Sequence, residues 1–252
     1  MQTLNKNSIK QLNLSGSHIE AIAIDNVKDY PIKNSTIVVN PQMEDAYIGE
    51  PPKKNVIPPF SSTILKDTQI AEAKSLILLE VKDTINLGNI ILEDGWNLLG
   101  DTMGEPDPSD ENPFPKNTPL WISPQDNIGI IEVDPYLMTR QDTTGNGKKT
   151  KEKFLVKVNL WFAPAQTNCA IHNQHDFIEI HTQVVGIGRM QKFKQQDYPS
   201  LYEDMVLAPG YTTYVPFCEV KEPGEYVYPW HQYYSDNDCI WMAIEYHPVE
   251  KN

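Results

Sequence analysis

Three of the six histidines in this 252-residue chain crowd into one run, His172-Asn173-Gln174-His175-Asp176-Phe177-Ile178-Glu179-Ile180-His181. Imidazole nitrogens and carboxylate oxygens are common ligands of first-row divalent cations, and imidazole also carries protons near neutral pH. From Ile178 onward the run alternates as a β-strand does, so Glu179 and His181, two residues apart, point to the same face, which continues through Gln183 and Val185. Polar groups turned together into an interior are costly unless something coordinates or hydrogen-bonds them. Two or three imidazoles with one carboxylate suit non-haem iron, manganese, nickel or zinc. Residues of these types also satisfy one another by hydrogen bonds or stand on an exposed strand face, and spacing alone leaves both readings open.

The elements that must position this run are strands. Alternating or β-branched segments occur at residues 19–24, 35–39, 76–81, 88–92, 128–133, 154–162, 178–185, 206–208, 226–228 and 239–246. Helical periodicity is weak and confined to residues 65–74. Residues 141–148, with Gly145 and Gly147, have a turn composition, so the segments on either side form a long hairpin. Twenty prolines and thirteen glycines add further turns. Many short strands separated by such turns predict an all-β antiparallel sandwich or barrel. Residues 101–119 are acidic and hold five prolines, which makes them a connector between residues 1–100 and 120–252. Residues 51–59 are a second irregular stretch.

The spacing from His175 through Glu179 to Gly186 resembles the second half of the first cupin motif, G-x5-H-x-H-x3–4-E-x6-G. The second motif, G-x5-P-x-G-x2-H-x3-N, is echoed in two places. Pro209-Gly210-Tyr211-Thr212-Thr213 has its turn, with Thr213 where the histidine would stand. Gly224-Glu225-Tyr226-Val227-Tyr228-Pro229-Trp230-His231 has the glycine, proline and histidine at contracted spacing. Asn173 holds the first histidine position of H-x-H, and a small bulge would bring His172 into the site instead.

The resemblance implies a cupin jelly-roll barrel in the C-terminal half. The strand-rich N-terminal half is then either a degenerate second cupin barrel or an extension that supplies strands to a neighbouring subunit. It further implies a divalent transition metal (iron, manganese, nickel or zinc) held by His172, His175, Glu179 and His231, with His181 as acid/base. Thr213, Tyr233, Trp241 and Arg189 are the candidate substrate contacts. The implied chemistry acts on a small organic molecule, as dioxygenase, isomerase, decarboxylase or lyase, in a homodimer. The alternative is a barrel without metal, either an epimerising enzyme of the sugar-nucleotide kind or a binding or storage module.

Composition narrows the partners. With 21 Lys+Arg against 34 Asp+Glu the net charge is −13, which argues against nucleic acid or an anionic membrane as partner. No apolar run reaches the length of a signal peptide or a membrane span. Cys169, Cys218 and Cys239 are widely spaced and odd in number, so they read as buried reduced thiols of a cytoplasmic protein, with Cys169 the only candidate for reactivity. Gly147-Lys148 lacks the first glycine of a phosphate loop, and Gly186-Ile187-Gly188 lacks the third glycine of a dinucleotide fingerprint. His18 and His247 have no partners in sequence and read as surface residues.

Overall fold

The computed structural model describes residues 6–52, 55–105, 113–141 and 151–249. Strand accounts for 53% of it against 8% helix, so sheets must bury one another. The N-terminal strands are β1 (Ser8–Gln11), β2 (Ile19–Ile32), β3 (Thr36–Asn40), β4 (Ala46–Ile48), β5 (Val56–Ile57), β6 (Ser61–Leu65) and β7 (Thr68–Val81). They form one antiparallel sheet in the order β1-β2-β7-β3-β6, with β4 joined to β7 and β5 to β4. Then follow β8 (Asn97–Leu98), β9 (Trp121–Ile122), β10 (Asp126–Val133), β11 (Glu152–Ala163), β12 (Thr167–Asn168), β13 (Ile178–Val185), β14 (Gly188–Phe193), β15 (Leu201–Leu207), β16 (Glu219–Glu222), β17 (Glu225–Val227), β18 (Trp230–Ser235) and β19 (Cys239–Pro248).

Two walls enclose the C-terminal barrel. One has the order β13-β19-β11, extended by β10, β9 and β8, and the other has the order β12-β18-β14-β15. Thr212 bridges to Thr182 and adds a further segment beside β13. Along the chain, β11, β12, β13 and β14 alternate between the walls and β15 stays beside β14. The Thr212 segment then returns to the first wall, β18 to the second and β19 to the first. That order of crossings is a double Greek key, a jelly roll.

Alternation along each strand sorts the side chains. Phe154, Val156, Val158, Leu160 and Phe162 of β11, Ile178 and Ile180 of β13, and Ile240, Met242, Ile244 and Tyr246 of β19 face away from the barrel. They share one core with Ile19, Ala21, Ala23, Ile37, Val39, Ile77 and Leu79 of the N-terminal sheet. The opposite face of that sheet packs a second core around Ile24, Val38, Leu76 and Leu78. Glu179, His181 and Gln183 are left pointing into the barrel, as their spacing predicts.

Two expected elements come out differently. Residues 88–92 lie in a 3₁₀ turn (Leu87–Leu92), not a strand; only Leu87 and Ile90 are buried there, three residues apart, which is the period of that turn. Residues 65–74 hold the end of β6, a turn with Asp67 at a left-handed φ of 50°, and the start of β7, because pairing of β7 with β2 outweighs the local helical pattern. β10 and β11 pair antiparallel as expected, while most of the turn composition, from residue 142, lies outside the described residues. So do residues 106–112 of the acidic stretch.

Asp126 ties β1 to this barrel wall. Its buried carboxylate accepts from Lys10 Nζ (2.7 Å), Asn13 N (2.9 Å) and Asn127 N (2.7 Å). Burial pushes its pKa up, but these three donors outweigh that and hold it below the usual aspartate value. A depressed pKa contributes stability that is present above the unfolded pKa and is lost as pH falls through the folded one. Asp126→Asn is therefore expected to cost about 1 kcal/mol in urea unfolding at pH 7, because an amide accepts these three hydrogen bonds less well and the donors keep access to water. The gap to wild type should shrink below about pH 4; a gap that is constant with pH would contradict the assignment.

Candidate metal centre

The site is assembled from the segment between β12 and β13 and from the start of β18. Thr167 and Asn168 pair with Ser235 and Tyr234, and Cys169 N donates to Tyr233 O. In an unbroken ladder Ile171 would then face His231. Instead His172 does, the two exchanging backbone hydrogen bonds of 2.9 Å each. One extra residue has entered the strand, and Ala170 carries the left-handed φ of 69° that such a bulge requires. The bulge turns His172 toward the barrel in place of Ile171.

Three imidazoles converge as a result. His172, His175 and His231 each offer a nitrogen, all within 4.8 Å of one another. His175 Nε2 lies 3.1 Å from His231 Nε2. Glu179 Oε1 is 3.4 Å from His175 Nε2 and 3.9 Å from His231 Nε2, and Glu179 Oε2 is 3.5 Å from His181 Nε2. Bonds of about 2.0–2.2 Å to a common ion place ligand atoms about 3–4.4 Å apart, so the spacing suits a first-row cation. His231 Nδ1 donates to Pro229 O at 2.9 Å and His172 Nδ1 to Ala170 O at 3.1 Å. These carbonyls fix the tautomers and leave each Nε2 lone pair facing the centre. Tyr228 orients the acid: its hydroxyl accepts from Glu179 N and donates to Phe177 O, both at 3.0 Å.

Burial sets the protonation of the group. It pulls His175 and His181 down to about 3, helped by the neighbouring His172, and takes His231 well below its usual value. It pushes Glu179 up to about 8, with Glu245 on the adjacent strand adding to the rise. Burial thus favours the neutral form of both the imidazoles and the carboxyl in these close contacts. Neutral imidazole is the form that binds a metal. His181 Nδ1 is buried and has no hydrogen-bond partner.

The other expected site residues are dispersed. Thr213 lies on the strand segment beside β13, and its hydroxyl accepts from His181 N at 2.8 Å, so it braces the site's backbone. Tyr233 and Trp241 stack on each other (ring centroids 3.6 Å apart) in the apolar interior with Met190 and Leu207. The Tyr233 hydroxyl donates to Gln183 Oε1. Arg189 sits on the opposite face of β14 from Met190 and is clamped by Asp236 and Asp204; it does not enter the site. Cys169 is buried and burial raises its thiol far above neutrality, which rules out a reactive thiolate. His18 and His247 both have partners, Glu93 at 2.6 Å and Glu245 at 2.8 Å. Sequence reasoning missed Glu245, Tyr228 and Phe217. The ring of Phe217 lies 4.8 Å from that of His231 and 6.4 Å from that of His181.

No family model matches the chain, and no curated protein does. Among solved structures it is similar to oxalate decarboxylase from Bacillus subtilis, at 11% identity and a TM-score of 0.29, over 94% of this chain and 71% of that one. It is also similar to a Cupin 2 conserved barrel domain protein from Leptotrichia buccalis (10%, TM-score 0.28, 97% and 91%). A third is the 11S globulin from Wrightia tinctoria (11%, TM-score 0.30, 93% and 77%). The order of crossings between its own two walls gives this chain an all-β jelly-roll fold.

Proposed function

We propose that this protein is a metal-dependent enzyme acting on a small organic molecule at the barrel's histidine cluster. The observation that carries this reading is the approach of three imidazole nitrogens to within 4.8 Å, with one carboxylate beside them. His172, His175, His231 and Glu179 would hold the ion, which when bound supplies a Lewis-acid or redox centre. His181 sits next to this set and is the proton carrier, with its unpartnered Nδ1 as the atom that meets the substrate. The stacked Tyr233 and Trp241 close the interior beneath and keep bulk water from the reacting groups. Pro229 and Ala170 carbonyls and the Tyr228 hydroxyl keep the donor set in place without movement on binding.

Elemental analysis of protein purified without added metal tests the reading. About one first-row ion per chain is expected. A protein that stays free of metal even after incubation with iron, manganese, nickel and zinc, yet binds a small ligand, would replace it with the metal-free barrel.

A further inference from the structure

β18, β14 and β15 lie side by side, and their registers place three residues in one cross-strand row. Lys192 is opposite His231 on one side and opposite Glu203 on the other. Directly opposed residues share a face, so an imidazole, an ammonium and a carboxylate run outward from the cluster. Their side-chain exposures rise in step: 2% for His231, 15% for Lys192 and 39% for Glu203. Lys192 Nζ lies 5.4 Å over the Phe217 ring, whose own ring contacts include His231 and His181. The ammonium and the imidazoles therefore border one aromatic wall. Glu203 holds the ammonium with both oxygens at 3.0 Å.

We propose that Lys192 is the anion-binding residue of this site, and that a substrate carboxylate takes the place now held by Glu203. The inference rests on the reading of the histidine cluster as the reaction site and names the chemical class of its substrate, a small carboxylic acid. The chain's net charge of −13 repels anions at long range, so a carboxylate must be captured by a local cation. Arg189 cannot serve, because it is spent on Asp204 and Asp236 on the other face. Lys192 is partly desolvated, already matched to a carboxylate, and beside the imidazoles. Glu203 is on the edge strand β15 and is the more exposed partner at 39%, so a carboxylate from solution can compete with it for the ammonium.

Acetate titrated into the purified protein, followed by NMR, tests this in wild type, Lys192→Met and Glu203→Gln. The metal content of each sample is measured in parallel, with phosphate as a second anion at matched ionic strength. Glu203→Gln is expected to bind acetate about tenfold more tightly than wild type, and Lys192→Met about tenfold more weakly; the opposite signs separate the effect from damage to the fold. Equal affinities in all three, no binding in any, or tighter binding of phosphate than of acetate overturns the proposal. Lys192-dependent acetate binding in protein that takes up no metal would sustain it while removing the metal centre. A metal-loaded protein whose acetate affinity is indifferent to Lys192 would do the reverse.

Discussion

Replacing His231 with alanine is expected to lower the affinity for a first-row divalent ion by at least about 100-fold. A closed set of four protein ligands binds zinc with on the order of 10–16 kcal/mol, so each ligand carries on the order of 3 kcal/mol. At about 1.4 kcal/mol per factor of ten, losing one costs about two decades. His231 is the best-fixed of the four. It is fully buried, its Nδ1 is bonded to Pro229 O, and its backbone is paired on both sides, with His172 and with Lys192. His172 lies exposed at the rim, and His172→Ala should lose less. His18→Ala is the control, since its ring is held by Glu93 away from the cluster and should leave affinity unchanged. Competition against a chromophoric chelator measures all three. Equal affinity in wild type and His231→Ala would end the case for a metal in this position, and circular dichroism on each variant shows whether the fold was kept.

What made part of this centre legible in the sequence is the two-residue period of a strand. Glu179, His181 and Gln183 had to share a face wherever β13 lay, and with Ile178 and Ile180 on the other side the buried polar face was evident. His175 and His231 were recognisable as imidazoles near turn residues, but their 3.1 Å approach depends on the pairing of segments more than fifty residues apart. His172 needed the bulge at Ala170, whose left-handed backbone nothing in an alanine announces. Lys192 and Arg189 show the same limit. They are three residues apart on one strand, so one must face in and the other out, but Gly186 and the turn after it hide which. Only the pairing of β14 with β18 decides. Glu245 sits in an apolar run that reads as a closing strand, and its place beside Glu179 follows from register alone. In the N-terminal half, the apolar stretch of β7 was legible as buried strand. That one of its faces would serve the barrel's core was not, because both faces are apolar there.

Tyr246→Ala is expected to cost about 3–5 kcal/mol of folding stability, the range for removing a large buried aromatic. Tyr246 is fully buried on the outward face of β19 and meets both halves of the chain. Its ring packs edge-on against Phe154 of β11 and against Phe60 from the N-terminal half, with centroids 6.4 and 6.0 Å apart. Its hydroxyl donates to Pro41 O at 2.8 Å. Tyr246→Phe keeps the ring contacts and leaves one buried carbonyl unmatched, which should cost about 1–3 kcal/mol. Because the ring is shared, the loss should appear in a single transition when tyrosine or tryptophan fluorescence and far-UV circular dichroism are followed in urea. Two separated transitions, with only one displaced by Tyr246→Ala, would show that the N-terminal sheet and the barrel fold independently. The core they share would then be a contact between two stable bodies, and the histidine cluster would owe its geometry to the barrel alone.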